Sequence, residues 1–485
     1  MLLRHTLLYM PAQIVGPLFQ LIAVVVWTHV VSDHTLGIIT LVTATHELLQ
    51  VAFLAWWSQY ALRFFGRFQK DDEAQRFYRT ENAILLVAML GQSLAAAGIL
   101  IAVIAPGAAP PLLAATLAYV VTRSLNLYIG ERARVRQQIV VYSIQQMVGP
   151  SLGFVLGLVA IEWRGQAPEW PLAGYAVAQL LAVLAVLPKI GHGRRLWPPD
   201  RAIIRHALHY GVPLVIGGGL GWVGLNASRF IVNDMLGVAA AGLFAVGYGL
   251  GQRAATVAAM LVTAAAFPIA VRRMEESGSA VAMRQLSDNG ALLVAILAPS
   301  VVGIFMLRSE IVHALIAVPF QQVTLAVLPL SVLAGAVRNL RAHFGDQVFL
   351  LHNRTRLLIV VTAIDAVMTV ALSFACIRTW GIVGAAIATV AAAGAAAAVS
   401  FAIGFSRFGL TLPAGHLVRI ALATAAMAAA LHAMAAAPGA IALAGHIAAG
   451  AAVYLATLAL LYAPLLVRML RAHRLAATAV SARDA

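Results

Sequence analysis

The sequence predicts an all-α polytopic membrane protein of about 14 transmembrane helices, with both termini on the cytoplasmic side. Two observations carry that prediction, and the charge pattern adds a third. Hydrophobic residues make up 62% of the 485 positions and charged residues only 11%, where a soluble domain needs roughly 25% charged residues. The apolar residues also fall into runs of about 20, the length that crosses a bilayer core. Backbone polar groups in lipid must be satisfied within the segment, so these runs are helices.

The spans follow in order. The first, 8–31, follows Arg4 and is too long for the apolar part of a leader peptide, so it reads as an uncleaved span. Span 36–62 closes on Arg63, and 81–105 opens after a charge-rich segment. Span 112–130 starts behind Pro110 and Pro111 and stops before Arg132. Next come 139–161 and 172–190, then 208–233 and 241–267 after a basic linker. The series continues with 288–307, 322–351, 357–377, 381–405, 416–436 and 441–466.

Orientation comes from the basic residues. Of the 33 Lys and Arg, only Arg164, Arg308 and Arg378 fall in outside loops, and Arg123, Arg229, Arg253, Arg338 and Arg341 fall inside spans. The rest, including Lys189 and Arg419 at the inner ends of their spans, face the cytoplasm, which is the positive-inside pattern. The net charge of +15 is therefore a topology signal, and no nucleic-acid partner is expected. Lysine occurs only at Lys70 and Lys189, and the Ala- and Arg-rich composition suggests a GC-rich bacterial gene. The expected location is the bacterial inner membrane. One cysteine, Cys376, leaves no internal disulfide to form.

The two halves echo one another. Tyr9-Met10-Pro11 opens the first span and Tyr210-Gly211-Val212-Pro213 the seventh; Gly37 and Gly242 follow those prolines at similar distances. Gly174-Tyr-Ala-Val-Ala-Gln179 pairs with Gly384-Ala-Ala-Ile-Ala-Thr389. The expected organisation is an N-lobe at 1–190, a cytoplasmic linker at 191–207 and a C-lobe at 208–405. Two extra helices at 406–466 and a basic tail at 467–485 complete it. Parallel repeats of this kind are a transporter architecture with the substrate site between them.

Several stretches resemble one family. Tyr210-Gly-Val-Pro213, Trp222, Arg229-Phe-Ile and Gly242-Leu-Phe-Ala-Val-Gly-Tyr248 resemble the seventh and eighth spans of bacterial polysaccharide flippases. Trp380-Gly-Ile-Val-Gly-Ala-Ala-Ile-Ala-Thr389 resembles their twelfth, and Trp57-Ser-Gln-Tyr-Ala-Leu-Arg63 the close of their second. These belong to the multidrug/oligosaccharidyl-lipid/polysaccharide exporter superfamily. Ser228 departs from the pattern, since many members carry an acidic residue before the arginine. The resemblance implies two lobes around a cavity, alternating access, and transfer of a polyprenyl-pyrophosphate-linked oligosaccharide to the outer leaflet for O-antigen or exopolysaccharide assembly. Membrane lipid, and a glycan polymerase or glycosyltransferases, are the implied partners.

Charge inside a membrane costs roughly 2.5–3.5 kcal/mol on insertion scales, so it tends to face a cavity or a partner. Arg253, Arg338, Arg341, Arg123 and Arg63 are the candidate substrate-binding residues, because guanidinium keeps its proton and grips phosphate oxygens bidentately. Arg338 and Arg341 could equally pair with Asp365 or Asp346. Glu47, Asp365 and Asp346 are the candidates for proton or ion coupling. Arg229, near the outer end of its span, reads as snorkelling.

Other patterns carry no chemistry. Gly219-Leu-Gly-Trp-Val-Gly224 matches a dinucleotide fingerprint but lies inside a span with no strand before it. Gly149, Gly153 and Gly157 form a small-residue face for helix packing. The fourteen histidines lack metal-ligand spacing, and no nucleotide loop or catalytic triad occurs, so no cofactor and no enzyme activity are expected. Three rivals stay open: a drug or cation antiporter of the same superfamily, a peptidoglycan lipid II flippase, and a membrane glycan polymerase or ligase. The first needs acidic residues to dominate the spans, and the last a sizeable outside loop.

Overall fold

The computed structural model describes residues 16, 19–68, 71–189, 197–435 and 439–481. The Tyr9-Met10-Pro11 motif and most of the 191–207 linker's first half lie outside them. Among the described residues the secondary structure is helical throughout, with no strand. Eleven helices among the described residues are long and apolar enough to cross a membrane, and Phe19–Val30 (α1) is a shorter apolar one.

The second span shows how the sequence sets its own helix. Ser32 accepts a hydrogen bond from the Thr35 amide (3.2 Å) and Asp33 follows in the first turn, so α2 (Asp33–Gln50) starts with a capped, acid-stabilised end. A π-helical turn at Val51–Ala55 leads into α3 (Trp56–Phe64). α4 (Asp71–Ile99) and α5 (Pro110–Val135) follow, the latter beginning on Pro110 and Pro111, whose missing amides cost nothing in a first turn. α6 (Ile139–Arg164) and α7 (Glu169–Val186) come next.

α8 (Arg201–Leu236) is capped by Asp200, which accepts from the Ala202 amide at 2.8 Å, and ends on Gly237. α9 (Val238–Ser277), α10 (Ser279–Met306), α11 (Arg308–Leu315) and α12 (Val318–Leu340) continue the chain. A π-helical turn at Arg341–Gly345 precedes α13 (Gln347–Leu351). α14 (Thr355–Phe408) holds two helical runs broken at Trp380–Gly381, where Gly381 adopts φ 55° and glycine alone enters such a conformation freely. α15 (Ala414–Ala433) and α16 (Ala440–Ser481) close the fold.

The chain forms two compact units. The first comprises Met1–Arg253, Ile316–Ser331 and Thr355–Ala396; the second comprises Ala254–Leu315, Val332–Arg354 and Ala397–Ala485. In the first unit, Leu41, Val120, Leu172, Val232, Phe244 and Val327 share one buried core. In the second, Leu307, Ala423, Met427 and Leu443 join α10, α15 and α16.

The glycine face expected on α6 packs on α7. A Cβ on Gly174 of α7 would stand 2.6 Å from the Gly157 Cα, and one on Gly153 would be 3.0 Å from the Tyr175 Cα. Small residues here let two backbones meet, the usual route to tight association in lipid. The Gly219–Gly224 stretch lies inside α8, which removes the dinucleotide reading.

Candidate functional site

In the first unit, charged and polar side chains from α2, α5, α7, α8 and α9 converge at mid-span. Glu47, fourteen residues into α2, is solvent-exposed although its neighbours His46 and Leu49 are buried. Its Oε2 accepts from Asn226 Nδ2 of α8 at 3.4 Å. A carboxylate at this depth is tolerated where it meets water and partners, not lipid. Asn226, Tyr119 and Arg253 all lie within hydrogen-bonding or electrostatic range of Glu47, so it sits among polar and cationic side chains of this unit.

Arg253 of α9 lies back along its own helix: a Cβ on Gly249 would stand 3.3 Å from Arg253 Nη1. The glycine thus leaves room for the guanidinium. Arg253 is within electrostatic range of Arg229, Glu47 and Tyr175. Arg123 of α5 interacts in the same way with His46, Tyr119 and Tyr175. Tyr175 also shares a hydrogen bond with Trp27. His46 is buried, with Nε2 3.0 Å from Ser124 Oγ, and Ser124 donates to Gln92 Oε1 at 2.6 Å. Ser124 has one hydrogen, so the bond to Gln92 leaves His46 Nε2 as the donor to Ser124.

Arg229 was expected to snorkel outward. Instead its guanidinium lies over the Tyr248 ring at 5.3 Å, and its Nε has no hydrogen-bond partner among the described residues. Tyr248 is held in place by its hydroxyl, which donates to Leu225 O at 2.9 Å. Ser228 bonds Ser373 at 3.0 Å. Three guanidinium groups therefore share this region with Glu47 as the exposed carboxylate.

Asp365 is buried on α14 (4% exposed) and receives a hydrogen bond from Thr369 at 3.4 Å. It faces α8 at Gly224, where a Cβ would stand 3.4 Å from the carboxyl carbon. Arg338 and Arg341 lie in the second unit, both buried. Arg341 pairs with Asp346 at 3.3 Å, and Ser400 donates to the other oxygen of Asp346 at 2.7 Å. The π-helical turn brings this pair together, closed by a 2.7 Å bond from the Asp346 amide to Arg341 O.

Arg63 is exposed at the inner end of α3, its guanidinium 5.8 Å from both the Phe64 and Tyr210 rings. Beside it runs a network the sequence did not reveal. Glu81 of α4 is buried and pairs with Arg132 at 3.0 Å. Tyr128 donates to the other Glu81 oxygen, and Trp57 Nε1 donates to Tyr128 Oη at 2.9 Å.

Chemically, the mid-span cluster has the donors that an anion site requires. Guanidinium groups keep their charge and present forked donors that match phosphate oxygens, and crowding them is unfavourable until an anion arrives. The residues missed from sequence are Tyr119, Tyr175, Asn226 and the inward-turned Arg229. The helical spacings Tyr119/Arg123 and Asn226/Arg229 were the available signal. Among the described residues no group of three His, Cys, Asp or Glu could hold a metal ion.

Comparisons with known proteins agree with this architecture. A family model described as "Polysaccharide biosynthesis protein" matches residues 2–274. No curated protein sequence matches the chain. Among solved structures, the lipid II flippase MurJ in an inward closed conformation superposes with a TM-score of 0.74 at 13% identity, covering 95% of this chain and 100% of that one. An inward-facing multidrug resistance MATE family transporter gives a TM-score of 0.62 at 15% identity over 81% of this chain and 95% of its own. An outward-facing one gives 0.53 at 17% identity, over 84% and 95%. These likenesses establish the fold. With more than half its length matched, this multi-pass membrane protein belongs to the polysaccharide biosynthesis protein family, on the fold shared by MurJ and the MATE transporters.

Proposed function

We propose that the protein flips a polyprenyl-pyrophosphate-linked oligosaccharide from the cytoplasmic to the outer leaflet of the bacterial inner membrane. The observation that carries this reading is the convergence of Arg123, Arg229 and Arg253 at mid-span with Glu47 as the exposed carboxylate. In this reading Arg253 and Arg123 hold the diphosphate, and the lipid tail stays in the bilayer. The N-lobe and C-lobe expected from the repeat alternate in access around it. Arg63, exposed at the inner end, meets the headgroup on entry. Arg341 and Asp346 hold the inner end of their span through their ion pair, and Arg338 lies beside them. Glu47 and Asp365 are the coupling candidates.

Moving two negative charges outward is assisted by an inside-negative potential, at about 2.3 kcal/mol per charge per 100 mV. About 4–5 kcal/mol is then available at 100 mV without another driving ion. The closeness of the MurJ fold favours one second reading, a peptidoglycan precursor substrate. Both substrates share the diphosphate, so the sugar decides. The test is leaflet transfer in proteoliposomes, comparing a fluorescent polyprenyl-pyrophosphate oligosaccharide with fluorescent lipid II. Transfer of the first, lost in Arg253→Ala, supports the proposal. Transfer of lipid II alone supports the second reading, and uptake of organic cations without lipid transfer would overturn both.

A further inference from the structure

At the inner ends of α3, α4 and α5, away from the mid-span cluster, a cleft holds a guanidinium without a carboxylate of its own. Arg132 and Arg136 stand one turn apart at the end of α5, so they share a face. Glu81 of α4 pairs with Arg132 at 3.0 Å. Arg136 makes no ion pair with a carboxylate among the described residues. Its Nη2 donates instead to a neutral phenol, Tyr78 Oη, at 2.7 Å. The guanidinium carbon lies 4.4 Å from the centre of the Phe65 ring and 5.5 Å from that of Tyr78. Its Nε is shut off from solvent and has no hydrogen-bond partner among the described residues. The other carboxylate on the cleft wall, Glu131, is held by Arg134 at 2.6 Å in a solvent-facing pair.

An arginine at a helix C-terminus ordinarily serves the last carbonyls. Arg136 does not, because its guanidinium turns across to Tyr78 and Phe65. Aromatic faces and a phenol fix the plane of the group without supplying a negative charge. Burial, and then the charge of Arg132, push the Arg136 guanidinium below its ordinary pKa, and a neighbouring anion would act in the opposite sense. The cleft, with Ser58 and Leu62 of α3 on its other wall, has about 20 Å³ of room. That admits one water-sized atom, and so one oxygen of a larger anion whose remainder stays at the mouth. Arg136 lies six residues past the span end expected at 130, ~9 Å along the helix axis. This is the depth of the lipid headgroups.

We propose that the cleft is a phosphate-binding site at the inner end of the first unit, in which Arg136, backed by Arg132, takes phosphate oxygens while Phe65 and Tyr78 hold its fork in place. A planar guanidinium matches phosphate oxygens two at a time, which an ammonium cannot do. The phosphate group is common to an anionic phospholipid of the inner leaflet and to a soluble phosphate compound. Either would tie α3, α4 and α5 together at the headgroup level. The site is separate from Arg253 and Arg123 and stands whether or not the protein moves a diphosphate lipid.

The experiment uses the full chain in nanodiscs and follows arginine modification by phenylglyoxal with peptide mass spectrometry. Three media are compared: phosphatidylcholine, phosphatidylcholine with millimolar inorganic phosphate, and phosphatidylcholine mixed with phosphatidylglycerol. Arg134, exposed two residues away, is the internal reference. Arg136 should be protected at least fivefold relative to Arg134 in one or both anionic media. Protection by phosphatidylglycerol alone assigns a lipid headgroup, and protection by inorganic phosphate assigns a soluble compound. Calorimetry then measures binding of the protecting probe, inorganic phosphate or short-chain phosphatidylglycerol, to protein carrying Arg253→Ala. That background weakens the mid-span cluster, so a failure of this site and a failure of the flippase reading are told apart. Adding Arg136→Met, which keeps the stem packed on Phe65, should weaken binding at least tenfold. Arg136→Lys should fall between, and Arg134→Gln should change nothing. Equal reactivity of Arg136 in all three media, or undiminished binding to the Arg136→Met protein, would overturn the proposal.

Discussion

Glu81 offers the most direct check on how the inner half of the first unit is held. Its side chain is 2% exposed and carries two bonds, to Arg132 at 3.0 Å and to Tyr128, which in turn holds Trp57 of α3 at 2.9 Å. Replacing it with alanine leaves the Arg132 guanidinium, itself only 10% exposed, without its carboxylate. Breaking a buried pair from one side costs about 3–5 kcal/mol. Arg132 also stacks on Tyr78 at 5.3 Å and sits at the cytoplasmic end of α5, where water can reach a relaxed side chain. The lower end, about 3 kcal/mol, is therefore expected. Glu81→Gln keeps one acceptor for Arg132 and should cost about half as much. Unfolding in mixed micelles gives these differences, and a cycle with Arg132→Met separates the pair from its surroundings. A coupling below about 0.5 kcal/mol, the scale of an exposed surface pair, would refute the reasoning.

Other perturbations follow from the same geometry. Glu47→Gln removes the exposed carboxylate that competes with an anion for the guanidinium cluster. Screened as in water, that charge is worth about 1 kcal/mol, so pyrophosphate binding by calorimetry should tighten roughly fivefold. Arg341→Ala and Asp346→Asn should each lower stability by about 3 kcal/mol and be far from additive, since both remove the same buried ion pair; denaturation of the double variant checks this. Gly174→Leu would drive a side chain into the Gly157 backbone and should prevent folded protein from accumulating, as seen by size-exclusion profile. Gly219→Leu, at an open position on α8, should be tolerated.

Much of the fold could be read from the sequence because lipid imposes simple rules. Apolar runs, bounded by arginines on one side of the membrane, mark the spans and their direction. Helix ends were harder. α4 begins at Asp71 rather than at 81, and α8 at Arg201 rather than at 208. Hydropathy detects only the lipid-facing length, while caps such as Asp200 extend helices into the cytoplasmic headgroup region.

At the site, the interior placement of Arg253 and Arg123 was visible from their depth. The inward turn of Arg229 was not, because it depends on the Tyr248 ring from a different helix. The Arg341–Asp346 pair was hidden for a local reason. Residues five apart do not face each other on a regular α-helix, and the π-helical turn is what aligns them. Glu81 looked like one more cytoplasmic charge, and only its burial against Tyr128 and Arg132 reveals its role.

The central claim is that guanidinium groups at mid-span carry a diphosphate lipid across the membrane. The most direct measurement is quencher-scored transfer of a fluorescent polyprenyl-pyrophosphate oligosaccharide in proteoliposomes, with and without an imposed inside-negative potential, for wild type, Arg253→Lys and Arg253→Ala. The account predicts transfer in wild type that rises with the potential. It also predicts a loss of at least tenfold in Arg253→Lys, which keeps charge but not the bidentate fork, and no transfer above empty liposomes in Arg253→Ala. Wild-type transfer that Arg253→Ala leaves intact would contradict it.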